Sequence, residues 1–245
     1  WLRAVFNWAA KWRTPEGRYL MRENPARGYP MPREKNIRRP LATQDRYEAI
    51  RAKSDAHTFY REGRGTRTVA RSYLSELLDI VNGTGRRISA VCALRYDDLR
   101  LERTKSAPHG AIRWPAGTDK MGRETVVPMS PVVRAAIDRV LRDRPAVGSV
   151  PLFPAPGDHA EPMTRHLANK WLREAEKRAG LEPLRGGLWH PYRRKWATER
   201  KGLPEADVAA SGGWLSTATL KLYQQVDEAT MLAVVLGGGE LREAK

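Results

Sequence analysis

Residues 84–99 read TGRRISAVCALRYDDL, and what this stretch is decides how the rest of the chain is read. Before it, Val69, Tyr73, Leu74, Leu77, Leu78 and Val81 recur at helical spacing, which predicts a helix over 68–81 that Asn82-Gly83 stops. Within it, Thr84-Gly85 is followed by two adjacent arginines, Arg86 and Arg87, and then by Ile88-Ser89. Gly83-Thr84-Gly85 lacks the third glycine and the preceding strand of a dinucleotide-binding turn, so no nucleotide site is expected there. Taken alone, Arg87 reads equally well as a solvated arginine at a helix start.

Outward from this stretch the chain is mostly helical. Residues 1–12 carry Leu2, Val5, Phe6, Trp8 and Ala9 at helical spacing, and 22–40, RENPARGYPMPREKNIRRP, has no apolar period and reads as a basic linker. A helix is predicted from Thr43, as N-cap, to about Arg61. Downstream, 111–115 and 124–129 predict two strands joined by a turn bounded by Gly117 and Gly122, with Lys120 near its tip. Ser130-Pro131 then opens a helix with Val133, Ala136, Ile137 and Val140 on one face. Further helices are predicted over 164–180 and 190–201, with shorter pieces from Asp207 and over 215–222. The fold class is therefore mostly α with a small β-hairpin, without internal repeats.

Composition narrows the partners. The 245 residues, 41% hydrophobic, suffice for one large core. Forty-four Lys and Arg against 28 Asp and Glu leave a net charge of +16 along the whole length. A surplus of that size repels itself in a compact state, so a polyanion, nucleic acid first, is the expected partner. The longest apolar run, Met231 to Leu236, is far short of the ~20 residues a spanning helix needs, so no membrane role is expected. Cys92, the only cysteine, excludes internal disulfides and fits a reducing, cytoplasmic setting. The chain starts at Trp1 inside a helical pattern, and upstream residues are expected.

Among catalytic signatures, GxxxxGK[ST], HExxH, GxSxG and clustered carboxylates are all missing, and the five histidines are scattered, so no cofactor or metal is expected. What remains is distributed: Thr84 to Ser89, Lys120, His190-Pro191-Tyr192-Arg193, and Gly213-Trp214 nine residues before Tyr223. Two guanidiniums, Arg87 and Arg193, offer forked donors matched to the non-bridging oxygens of a phosphodiester.

In that order, TGxR, hairpin Lys, HxxR, Gly-Trp and Tyr, the chain resembles the tyrosine recombinase or phage integrase family over roughly 43–236. TGRRISAVCALRYDDL is similar to the family's TGLRISELLALRWEDI, and WHPYRRKWATE to its HDLRHTFAT helix start. The resemblance implies the catalytic-domain fold of DNA breaking and rejoining enzymes, working without metal or ATP. It implies Tyr223 as nucleophile forming a 3′-phosphotyrosyl link, Arg87 and Arg193 on the phosphate, and Lys120 as general acid. His190 is implied on a non-bridging oxygen or in the tyrosine's proton transfer, and Trp214 as an N–H donor where His is commoner. The chain departs from the family at Ala90, usually acidic, and at Arg194, commonly His. The implied partners are double-stranded DNA and a homotetramer on two DNA sites, with a monomer when DNA is absent.

The implied domains are the end of an N-terminal DNA-clamping helical domain with its linker over 1–42, a catalytic domain over 43–236 and a tail over 237–245. Residues 226–236 are expected to dock on a neighbouring subunit or on their own domain. Lys35, Arg38, Arg39, Arg123 and Arg194 are candidate phosphate contacts, with Arg123 an alternative to Lys120. Plainer readings stand beside these: Lys120 a solubilising turn residue, His190 a helix-start residue, Trp214 a core aromatic, Tyr223 one tyrosine of eight. The competing functions are a non-catalytic DNA-binding relative and a type IB topoisomerase.

Overall fold

The computed structural model describes residues 2–29, 39–54, 58–62, 66–118, 122–225, 231 and 235. Its residues divide into two units, Trp1–Arg38 and Arg39–Lys245. In the first, helix α1 (Leu2–Ala9) is held by Asn24, whose side chain donates to Asn7 Oδ1 at 2.7 Å and accepts from the Ala26 N–H at 2.7 Å.

The second unit opens with α2 (Gln44–Ala52), capped by the Thr43 hydroxyl, and an antiparallel hairpin of β1 (Thr58–Glu62) and β2 (Thr66–Ala70). Helix α3 (Leu74–Thr84) and the short α4 (Ile88–Cys92) follow. Strands β3 (Leu99–Arg100), β4 (Ala111–Trp114) and β5 (Thr125–Pro128) form one antiparallel sheet in that order. Then come α5 (Pro131–Asp143), α6 (Arg165–Arg178), α7 (His190–Thr198), α8 (Glu205–Gly212) and α9 (Thr217–Lys221).

Helix α3 is buried around its whole circumference, with Leu74, Leu77, Leu78 and Ile80 inaccessible, and it packs on α2, α5, α6 and α7. A helix in that position must pair its polar residues. Asp79 accepts from Tyr47 Oη at 2.5 Å, Arg51 Nε at 2.9 Å and Arg139 Nη2 at 2.5 Å, while Glu76 takes Arg71 at 3.0 Å and Arg139 at 3.2 Å. Burial, and then the carboxylate it faces, push the Tyr47 hydroxyl pKa up.

The expected hairpin of 111–115 and 124–129 is present, as are the Ser130-Pro131 and Thr164 helix starts, each hydroxyl accepting from an N–H three residues on. Four expectations need correction. The helix from Thr43 ends at Ala52, where Ser54 Oγ takes the Arg51 carbonyl, and Thr58 onward is strand. Residues 66–70 are also strand, because Thr66, Thr68 and Val69 are β-branched, and α3 starts only at Leu74. Asn82-Gly83 does not end α3: a β carbon on Gly83 would lie 2.4 Å from Val133 Cγ2, so this glycine lets α5 approach, and Gly85 ends the helix. The helix from His190 ends at Thr198, short of Lys201. The two-residue β3 carries too few residues for an alternation signal.

Replacing Asp79 by alanine removes the acceptor shared by Tyr47, Arg51 and Arg139. The expected loss of unfolding free energy in urea titration is about 3 kcal/mol, against less than about 1 kcal/mol for the exposed partner change Arg51→Ala.

Candidate active site

Two glycine turns frame the site. Helix α3 ends at Gly85, with φ 65°, and α8 at Gly213, with φ 67°. A β carbon would come within 2.5 Å of the Trp196 ring at Gly85 and within 2.6 Å of Arg86 Nη1 at Gly213, so neither turn admits a larger residue. Thr84 fixes the first turn, its hydroxyl donating to the Ile80 carbonyl at 2.6 Å and accepting from the Arg86 N–H at 3.3 Å.

Arg193, in the first turn of α7, reaches between the two turns. Its Nη1 donates to the carbonyls of Gly85 and of Gly212, the latter at 2.5 Å, and its Nη2 to that of Gly213 at 3.2 Å. Only 2% of the residue is exposed, and its Nε is buried without a partner among the described residues. Burial, reinforced by Arg87 and Arg86, pushes its pKa down to about 9, while contact with Tyr223 opposes the shift. The guanidinium is therefore still charged at neutral pH.

Trp214 follows the second turn. Its ring stacks on Trp196 at 5.7 Å and lies under the Arg193 guanidinium, whose Cζ is 3.6 Å from the ring centre. Its Nε1 is buried and has no partner among the described residues. Tyr223, just past α9, meets Trp214 edge-on at 5.3 Å and His190 at 6.1 Å, with Arg193 5.4 Å from its ring centre. The Tyr223 N–H closes the end of α9 by donating to the Leu220 carbonyl at 2.8 Å, and the segment is pinned to α7 by Gln224 Nε2, which donates to the Ala197 carbonyl at 3.3 Å, and by the Gln225 N–H, which donates to Thr198 Oγ1 at 3.1 Å.

Arg87 is the N-cap residue of α4 and is half-buried, with its Nη1 3.4 Å from the Gly213 carbonyl. It opens on a cavity of about 410 Å³ that it shares with Ser89, with His190 and Arg193, and with Arg165, His166, Asn169 and Arg173 of α6. None of the described residues lining this cavity is acidic. His190, exposed at the helix start, has its pKa lowered by burial of part of the ring and then by Arg194, Arg193, Arg87 and Arg39. Gly187, with φ 101°, leaves room for that ring, since a β carbon there would lie 3.1 Å from His190 Cδ2.

The structure thus gathers Arg87, His190, Arg193, Trp214 and Tyr223 around one wall of the second unit. Trp214 is also a core aromatic, in a small cluster with Trp196, Ala197, Val208, Ala209 and Leu220 that Tyr223 borders. Lys120, Lys35 and Arg38 lie outside the described residues. Arg39 and Arg123 are exposed, whereas Arg194 is buried and donates to the carbonyls of Pro40 and Gly186, each at 2.8 Å. Ala90 is buried in the main core. Of 226–236 only Met231 and Val235 are described, both helical and exposed, and 237–239 lie outside. The sequence reading missed Arg165, Asn169 and Arg173; their spacing of four along a predicted helix was the available signal. Among the described residues no cluster of His, Cys, Asp or Glu could hold a metal ion, and no helix is long and apolar enough to cross a membrane.

The sequence matches the phage integrase family over residues 43–230. No curated protein matches it. Among solved structures, XerA recombinase is 17% identical with a TM-score of 0.60 over 86% of this chain and 66% of that one. XerH site-specific recombinase bound to palindromic difH substrate, a post-cleavage complex, is 16% identical with a TM-score of 0.62 over 94% and 61%. A lambda integrase dimer bound to a COC′ core site is 16% identical with a TM-score of 0.61 over 91% and 57%. These likenesses are of fold, and the chain spans less than two thirds of the length of each of these three structures.

Because the folded pKa of His190 lies below the ordinary 6.5, the neutral ring contributes stability that is present above that value and is lost as pH falls through the folded pKa. In a histidine NMR titration, the His190 midpoint of the free protein is expected below 6.5 and is expected to rise when inorganic phosphate is added, since an anion offsets the surrounding guanidiniums.

Proposed function

The chain belongs to the phage integrase family, and from that premise we propose that it is a site-specific DNA recombinase that breaks and rejoins strands through a 3′-phosphotyrosyl link to Tyr223. The observation that carries this reading is the pairing of a buried arginine with a buried tryptophan N–H beside that tyrosine. Arg193 has carbonyls, not a carboxylate, as its hydrogen-bond acceptors, and the Trp214 Nε1 has no partner among the described residues. Both are suited to an anion that arrives from outside.

In the first step the Tyr223 oxygen forms a bond to the scissile phosphorus and the bond from phosphorus to the 5′-oxygen breaks. The phenol proton goes to His190, whose lowered pKa keeps the ring neutral and able to accept it. The electron pair leaves on the 5′-oxygen, which takes a proton from the Lys120 ammonium. Arg87 and Arg193 neutralise the non-bridging oxygens, and the Trp214 N–H donates to one of them. In the second step a 5′-hydroxyl from another strand attacks the phosphotyrosine by the reverse route. One phosphodiester bond is exchanged for another, so no nucleotide is consumed, and the guanidiniums carry the charge that a metal ion would otherwise neutralise.

Double-stranded DNA is the partner we assign. The net charge of +16 and a cavity without an acidic residue among its described lining favour it, as do the DNA complexes of XerH and lambda integrase with the same fold. Arg165, Arg173, Arg39, Arg123, Lys35 and Arg38 supply further phosphate contacts, and four copies on two DNA sites form the assembly.

The test uses a pool of nicked duplexes of randomised sequence, incubated with the protein in EDTA and then denatured. A protein–DNA adduct through a 3′-phosphate is expected; Tyr223→Phe removes it, and Arg193→Ala slows its formation by about 10³-fold. Salt-sensitive binding without any adduct would instead point to a non-catalytic DNA-binding protein. An adduct accompanied by relaxation of supercoils by a monomer would point to a type IB topoisomerase.

A further inference from the structure

Arg86 and Arg87 are neighbours in sequence and both line the cavity, Arg87 half-buried there and Arg86 only 4% exposed. The Arg86 Nε donates to the Ser211 carbonyl at 2.7 Å, and its Nη2 donates to the Ala210 carbonyl at 2.9 Å and to Thr125 Oγ1 at 2.7 Å. Its Cζ lies 5.0 Å from the centre of the Trp114 ring.

These partners belong to two elements with different roles in the proposed reaction. Ala210 and Ser211 are in the last turn of α8, immediately before Gly213 and Trp214. Trp114 and Thr125 face each other across β4 and β5, as the last pair before the loop that contains Lys120. The carbonyl end of a helix attracts a cation, and a guanidinium fork can serve acceptors on two elements at once where an ammonium cannot.

We propose that Arg86 is a positioning residue that locks the base of the β4–β5 hairpin to the carbonyl end of α8, and thereby fixes the strand ends that carry Lys120. A joint with only a packing role is built more cheaply from apolar side chains, since a buried guanidinium carries a desolvation cost. The fork makes the joint directional: moving Thr125 relative to Ser211 breaks a hydrogen bond. This inference rests on the proposed reaction, in which Lys120 protonates the leaving 5′-oxygen.

The experiment compares Arg86→Met, Arg86→Lys and Thr125→Val with the unaltered protein on a duplex recovered from the randomised pool. Each is assayed on that duplex and on the same duplex with sulfur in place of the bridging 5′-oxygen, because a thiolate leaves with little need of a proton. Arg86→Met is expected to slow adduct formation on the oxygen substrate by about 30-fold, within the range of general acid catalysis, and on the sulfur substrate by less than about 3-fold. DNA affinity is expected to stay within about 2-fold, since Arg86 is not assigned a phosphate. Arg86→Lys should recover part of the rate, and Thr125→Val should show the same substrate selectivity more weakly. Equal slowing on both substrates, or none, overturns the proposal, and Thr125→Val decides the matter if Arg86→Met does not fold. Absence of any adduct with the unaltered protein overturns the proposed function itself and this inference with it, so the two failures are distinct.

Discussion

The burial of the Arg193 guanidinium between two glycine turns is the constraint on which the rest of the second unit depends. A buried cation costs several kcal/mol unless its donors are met, and here the two terminal nitrogens are met by the carbonyls of Gly85, Gly212 and Gly213, with Nε left without a partner among the described residues. Carbonyls can converge so closely only where helices end, which requires α3 and α8 to stop side by side. Each stop takes a left-handed residue with no room for a side chain. The fold is in this sense arranged around one charge.

The same geometry organises its neighbours. The four carbonyls from Ala210 to Gly213 are shared among Arg86, Arg87 and Arg193, which draws the 84–89 turn against the end of α8. Trp214 then fills the space under Arg193 and stacks on Trp196, whose Nε1 donates to the Gly83 carbonyl at 3.0 Å and returns the packing to α3. Tyr223 borders this stack. Positive charge accumulates because neutral acceptors hold these side chains without cancelling them. It is felt at His190, whose protonation is opposed first by burial and then by the surrounding arginines. An anion entering the cavity would relieve that repulsion.

Much of this was legible in the sequence, and the parts that were not failed for physical reasons. The amphipathic helices and the 111–129 hairpin announce themselves because one face is buried and the period is plain. The end of α3 was misplaced because Asn82-Gly83 looks like a stop, while only the approach of α5 reveals that Gly83 is a contact and Gly85 the cap. Residues 58–61 and 68–70 of the hairpin were read as the ends of two helices, the second because Val69 fell on an apolar period that in fact begins at Leu74. Arg87, His190, Arg193, Trp214 and Tyr223, which the structure brings together, were singled out in the sequence by their order. Arg165, Asn169 and Arg173 were passed over because a polar helix face looks the same whether it borders solvent or a cavity. Arg194 was offered as a phosphate contact on charge alone, and only the structure reveals the Pro40 and Gly186 carbonyls that occupy it.

If these groups converge on one phosphoryl centre at Tyr223, a crystal structure of the protein with orthovanadate, which adopts the geometry of a phosphoryl group under attack, will show it. Vanadium is expected to be bonded to the Tyr223 oxygen, with its remaining oxygens held by Arg87, Arg193, His190 and the Trp214 N–H. Vanadate bound only at the α6 end of the cavity, beside Arg165 and Arg173 and apart from Tyr223, would contradict it.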